Sequence, residues 1–331
     1  MNDSSPFGLR YSADLRTLAF VGGWFVLLAT LWTVGFHPLA YAGLLVLSLS
    51  MGPIAHNHVH GGTFRNKTVD QLFTYVVTLS YGYPVVAWIP THLQNHHVYG
   101  NRDGDETATW RYTERNAPWM ALVYFPVSAF FQGRLVNDYL GRLWARHRRI
   151  FWRKAAEYAL WGLWIAGALI LDWRKALLFI GIPALVSLYS VHLFNYVQHV
   201  GCDWDAKYNQ SRNFVGPITN FLLLNNGFHT VHHLDGGLHW SLAPAKHREI
   251  AHLIHPELNQ RNALWWLFRS YVLAPFVGEA PAIRFEGHPG ASERLPRAPK
   301  PRPDWSVPQR HAPVHGPAAA EAARATFDQA A

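Results

Sequence analysis

The run from Leu18 to Phe36 constrains the fold most: about 19 nearly unbroken apolar residues, enough to cross a hydrocarbon core of roughly 30 Å as a helix. His37 and Pro38 break it, and a second run, Ala40 to Ala55, leads straight into His56. The short connection predicts a transmembrane hairpin. A second hairpin is predicted from Ala155 to Leu171, an Asp172-Trp-Arg-Lys175 turn, and Ala176 to Val197. The segment Arg142-Leu-Trp-Ala-Arg-His-Arg-Arg-Ile-Phe-Trp-Arg-Lys154 precedes it and reads as a basic loop, cytoplasmic by the positive-inside rule. Arg174 and Lys175 in the outer turn are a mild exception. Four spanning helices then leave both termini in the cytoplasm.

Two further apolar runs are not read as simple spans. Leu72 to Pro90 carries Gly82 and Pro84 and lies between two histidine clusters. If it crossed the bilayer the clusters would face opposite compartments, so it is expected to be re-entrant or interfacial, buried against protein. Ala117 to Phe131 is aromatic-rich and also reads as interfacial. The expected fold is an all-α integral membrane protein, with four transmembrane helices in two hairpins, interfacial helices, and a cytoplasmic helical cap carrying the histidines. Its expected divisions are a cytoplasmic segment 1–17, a membrane domain 18–280, and a disordered tail 281–331. Nine prolines between Pro281 and Pro317, then an Ala-rich end, give the tail its character. Gly287-His288-Pro289-Gly290 within it is similar to the haem-binding signature of fused cytochrome domains, but too few residues remain to build one. The chain before Leu18 is mostly polar and no cleavage site is clear, so the first run reads as a retained anchor.

Composition agrees with this placement. Half of the residues are apolar, and 15 Trp and 14 Tyr suit a bilayer interface. A net charge of +8 raises nucleic acid as a partner. The basic residues gather beside an apolar run and in the Pro-rich tail, a pattern that membrane topology produces, so no nucleic-acid partner is expected. The single cysteine, Cys202, excludes an intramolecular disulfide and any multi-cysteine metal site.

The 20 histidines cluster. One group is His56-Asn-His58-Val-His60, another His92-Leu-Gln-Asn-His96-His97, a third Asn195-Tyr-Val-Gln-His199, and a fourth His229-Thr-Val-His232-His233. Residues three and four apart share a helix face. His56 then projects with His60, His92 with His96 and nearby His97, and His229 with His232 and His233, while Asn195 shares a face with His199. Nine imidazoles converge, too many for one metal, since a zinc site takes about four protein ligands. Two metals use the set, and imidazole suits iron, copper, nickel and zinc alike. His58 points away from its partners and reads as structural or supporting. His192, two turns before His199, and His239 are candidates for supporting roles. Asp103, Asp105 and Glu106 form a loop read first as solvated; Asp103 and Asp105 are also candidates to accept a ligand imidazole's other N–H.

These motifs, of the types HxxxH, HxxxHH and HxxHH with an Asn-x-x-x-His element, resemble the membrane fatty acid desaturase and hydroxylase superfamily over about His56 to Trp240. The run Asn225-Asn-Gly-Phe-His-Thr-Val-His-His233 with Gly237-Leu-His-Trp240 is similar to bacterial fatty acid desaturases. The resemblance implies two Fe2+ ions on the cytoplasmic side of a four-helix membrane bundle, O2 as co-substrate, and a location in a bacterial inner membrane. It implies that Asn195 acts through a water, beside the ligands His56, His60, His92, His96, His97, His199, His229, His232 and His233. The three-residue spacing before the His96-His97 pair departs from the commoner two.

Breaking an alkyl C–H bond is beyond side-chain acid–base chemistry, so a metal must carry it. The chain has no flavin motif, no iron–sulfur cysteines and no haem domain, so a separate ferredoxin-like or other small electron carrier is expected. Arg142, Arg146, Arg148, Arg149, Arg153 and Lys154 offer it a docking face, although topology explains them equally. The expected reaction is desaturation of an apolar acyl substrate drawn from membrane lipid. A hydroxylase of a carotenoid, sterol or alkane, a membrane zinc hydrolase, and a non-catalytic metal-binding protein are the competing readings.

Overall fold

The computed structural model describes residues 5–277 and 282–297. The chain is mostly helical: α1 Leu15–Val34, α2 Pro38–Gly61, α3 Lys67–Tyr81, α4 Pro118–Arg146, α5 Arg148–Ala176, α6 Ile182–His199, α7 Pro217–Leu222, α8 His229–Leu234, α9 Ala243–Ile250 and α10 Ala263–Phe268. A parallel pair, β1 Asn213–Phe214 and β2 Asn259–Gln260, is the sheet among the described residues. Ser12–Val34, Pro38–Gly61 and Arg148–His199 are long and apolar enough to cross a membrane. Lys67–Tyr81 with Val85–Tyr99 makes a fourth if that pair, bent by 98°, is one broken span.

The chain divides into two compact units. Unit 1 comprises Met1–Ile89, Leu143–Val191 and Leu222–Leu224. Its long helices pack through small residues and a few polar contacts, as expected where the solvent is itself apolar. A Cβ on Gly23 would meet Leu47 at 3.2 Å, and one on Gly52 would meet Val191 at 2.8 Å. Trp24 Nε1 donates to Ser48 Oγ at 2.9 Å between α1 and α2. The helix α2 outruns its apolar stretch and continues through His56 and His60 to Gly61, so both histidines ride on regular helix. In α5 the backbone leaves helical geometry at Asp172 (φ −162°, ψ 98°), inside the expected turn. Its carboxylate accepts from the backbone N–H groups of Arg174 and Lys175, both at 3.1 Å, and so caps the helix that follows.

The break after α3 follows from Gly82, which adopts the left-handed conformation (φ 89°) that favours glycine, and from Pro84. A broken helix in apolar surroundings must have its freed backbone groups satisfied. Here α5 does so: Trp161 Nε1 donates to the Gly82 carbonyl at 3.0 Å, and Glu157 accepts from Val86 N–H at 2.8 Å. Glu157 is fully buried and pairs with Lys154 at 3.4 Å.

The segment Arg142–Lys154, read from sequence as a loop, is helical except at His147 (φ −139°, ψ 62°). It holds no Gly or Pro, and Arg, Leu, Ala and Lys are good helix formers, so the charges mark the ends of α4 and α5 instead of an open connection.

Unit 2 comprises Pro90–Arg142, His192–Phe221 and Asn225–Ala331. Met120, Tyr124, Tyr196, Val200 and Phe214 form part of its core. The expected disorder from residue 281 gives way to a pinned stretch at 282–297. Lys207 N–H donates to the Glu293 carbonyl at 2.8 Å, Leu295 N–H to the Asp205 carbonyl at 2.7 Å, and Arg294 pairs with Asp203 at 2.6 Å. Ile283, Phe285 and Leu295 give this stretch apolar anchors. The rest of the expected tail lies outside the described residues.

Candidate metal centre

In unit 2, seven imidazoles gather into two sets. His96, His199, His229 and His233 are all buried, with one ring nitrogen from each within 4.8 Å of the others. The Nε2 atoms of His199 and His229 are 2.9 Å apart, those of His199 and His233 3.1 Å, and those of His229 and His233 3.1 Å. The second set is His92, His97 and His232, with Nε2 separations of 3.0 Å (His92–His97), 3.3 Å (His92–His232) and 2.8 Å (His97–His232).

Local winding decides which ring joins which set. Ile89–His96 is a π-helix, with a wider turn than an α-helix, and His97 follows it directly. His92 stacks on His96, with ring centroids 5.3 Å apart, but its Nε2 meets that of His97, five positions on, while the His96 Nε2 joins the other set. The sequence reading placed His92 with His96 and nearby His97, and the three rings do adjoin. The extra residue in this motif is what the π turn absorbs. In α8, His229 and His233 are one α-turn apart and share the four-histidine set, while His232, about 100° away around the helix, joins the other. The doublets His96-His97 and His232-His233 thus each give one ring to each set.

Hydrogen bonding alone cannot satisfy these triangles. A neutral imidazole has one N–H, directed in the ring plane. His199 Nδ1 faces the Gln210 carbonyl at 3.3 Å, and His96 Nδ1 faces Asp105 at 2.8 Å. Each contact places the ring proton on Nδ1 and turns a lone pair at Nε2 inward. The His96 Nε2 atom is buried without a hydrogen-bond partner. Burial, then repulsion from His229 and the other imidazoles, hold the His233 pKa well below the ordinary histidine value, so its ring is neutral at pH 7. Converging lone pairs are what a cation satisfies. Nitrogen–metal bonds of ~2.1 Å set about 90° apart place neighbouring nitrogens ~3.0 Å apart, against ~3.4 Å at tetrahedral angles. Both triangles sit closer to the first spacing.

Asp105 is wholly buried, not solvated as the plainer sequence reading had it. Burial would raise its carboxyl, but the adjoining His96 ring and the Thr107 donors outweigh that and hold it at about 2. Thr107 Oγ1 donates to Asp105 at 2.6 Å, and Asn101 N–H at 2.7 Å. Glu106 instead pairs with Arg111 and Arg134, and Asp103 faces solvent.

In unit 1, the His56 and His60 ring centroids are 4.8 Å apart on one face of α2. Both nitrogens of His58 are engaged, by Thr63 Oγ1 at 3.0 Å and Thr74 Oγ1 at 2.8 Å. Asn195 Nδ2 donates to the Tyr124 hydroxyl at 2.7 Å, and that hydroxyl donates to the Thr107 carbonyl. His192 packs on Phe125 with Gln132 at 3.4 Å, and His239 Nδ1 faces Ser241 Oγ at 2.9 Å. Tyr124, Thr107 and Gln210 were not singled out from sequence; none lies at a telling spacing from the histidines. Cys202 is half-buried, and burial pushes its thiol up to about 11, which leaves it inert.

The sequence matches the family model described as fatty acid desaturase over residues 30–269. No curated protein and no solved structure matches the chain. The match covers most of the chain and both histidine sets, and the chain belongs to the fatty acid desaturase family, within the membrane desaturase and hydroxylase superfamily.

Proposed function

We propose that this protein is a membrane-bound, non-haem di-iron acyl desaturase. One iron is held by His96, His199, His229 and His233. The other is held by His92, His97 and His232, with His56 and His60 supplying its remaining nitrogens, as the first histidine motif of the resembled family does. Asn195 acts through a water, and Tyr124 fixes the orientation of its amide. The observation that carries the reading is the pair of Nε2 triangles, joined by two histidine doublets that each serve both.

The bound iron pair supplies the oxidising power that side chains lack. The protein's residues supply position and exclusion. Asp105 keeps a proton on His96 Nδ1 and the Gln210 carbonyl keeps one on His199 Nδ1, so both rings present Nε2 in a fixed orientation. Burial of the four-histidine set keeps bulk water away. In the overall reaction two hydrogens leave adjacent carbons of the acyl chain. With O2, two electrons and two protons from outside, they yield a double bond and two waters. The electrons come from a small carrier such as a ferredoxin. The substrate enters from the membrane, and the active site faces the cytoplasm at the end of four spans. The basic ends of α4 and α5 support this orientation through the positive-inside rule.

The test is expression in a host of defined lipid composition, with fatty acid profiling by mass spectrometry and His232→Ala as control. A product two hydrogens lighter, absent with the variant, is expected. A product that gains one oxygen would overturn desaturation in favour of hydroxylation. An unchanged profile from iron-loaded protein would overturn acyl chemistry.

A further inference from the structure

Within unit 2, two tryptophans stack beside the four-histidine set. Trp110 and Trp204 have ring centroids 6.0 Å apart at an interplanar angle of 30°, and both are half-buried. Trp204 Nε1 donates to the main-chain carbonyl of His199 at 2.9 Å. Trp110 Nε1 donates to the Asn101 carbonyl, Asn101 N–H donates to Asp105, and Asp105 accepts from His96. The stacked pair therefore reaches two ligands of the same set by two separate hydrogen-bonded routes. Capping the last turn of α6 needs only a donor at the His199 carbonyl. It does not need a second indole stacked on the first and tied back to His96.

We propose that Trp110 and Trp204 form the electron-entry route, so that electrons arrive at the four-histidine set. This rests on the di-iron reading above and adds the side from which the reductant approaches. The partner is a one-electron iron–sulfur carrier docking over the half-buried indoles. Electron transfer falls off steeply with distance, and a stacked aromatic pair joined by hydrogen bonds to two ligands shortens the gap between an external cluster and the site. Each encounter oxidises one reduced carrier and reduces one ferric ion to ferrous; no bond forms or breaks.

The experiment uses the full-length protein loaded with iron and oxidised. It is mixed anaerobically in stopped flow with a reduced plant-type [2Fe–2S] ferredoxin as probe, and ferredoxin oxidation is followed by absorbance. Iron content is measured on the same samples. Trp204→Leu and Trp110→Leu are expected to slow ferredoxin oxidation at least about tenfold at unchanged iron content, and Trp204→Phe, which keeps a ring to stack on Trp110 but loses the N–H, to recover only part of the rate. Trp265→Leu, a half-exposed indole on α10, is expected to leave it unchanged. An unaltered rate in both leucine variants would overturn the route. So would a rate that falls only in step with lost iron, or equal slowing by Trp265→Leu. A wild-type protein that binds no iron pair overturns the di-iron reading and the route with it; one that binds the pair and never oxidises ferredoxin overturns the route alone.

Discussion

At the scale of single residues, the difference between a ligand and a bystander lies in where the second ring nitrogen goes. His96 spends Nδ1 on a buried, ionised Asp105 and leaves Nε2 facing three other imidazoles. Replacing Asp105 with Asn removes the acceptor's charge and loosens the ring. Metal affinity of the four-histidine set is expected to fall ~10–100-fold, measured by chelator competition, with the fold intact. Unchanged affinity would show that Asp105 serves only its own loop. His58 is the opposite case, with both nitrogens spent on threonine hydroxyls. His58→Ala is expected to leave metal content unchanged while lowering stability by about 1–3 kcal/mol, because buried hydroxyls lose partners. Loss of one metal equivalent in that variant would place His58 among the ligands. Sequence spacing identified the histidines but not their tautomers. The groups that fix these, Asp105 and the Gln210 carbonyl, act through contacts that follow no helical period.

At the scale of elements, apolar runs and helix breakers were the legible part. The runs expected at Leu18–Phe36 and Ala40–Ala55 correspond to α1 and α2, and the expected turn contains Asp172. Asp172→Ala removes the acceptor for two backbone N–H groups and should cost about 1 kcal/mol, with Asp172→Asn restoring most of it; thermal unfolding in detergent checks this. Equal stability of the two variants would mean the cap contributes nothing. Three features were not legible. Arg142–Lys154 read as a loop because charge density was taken for irregularity, although its residues are strong helix formers. The π turn at Ile89–His96 is not legible from a 3.6-residue period; the His92 and His96 rings do stack as expected, but their Nε2 atoms belong to different sets. The stretch at 282–297 looked like tail because proline content outweighed three apolar anchors, Ile283, Phe285 and Leu295.

For the whole molecule, the division into two units matches a division of tasks. Unit 1 holds α1, α2 and α5 whole, together with the first half of α6, the apolar length needed for a bilayer. Unit 2 holds seven imidazoles in two sets, one of them wholly buried and the other partly so. The chain's family makes it an oxidoreductase, and the two nitrogen sets are compatible with metal binding. The most direct measurement is metal quantification combined with X-ray absorption on purified, anaerobically loaded protein. Two irons per chain, each in a nitrogen-rich shell of more than four ligands, is the result expected. One zinc per chain in a tetrahedral shell, with the second histidine set empty, would contradict it.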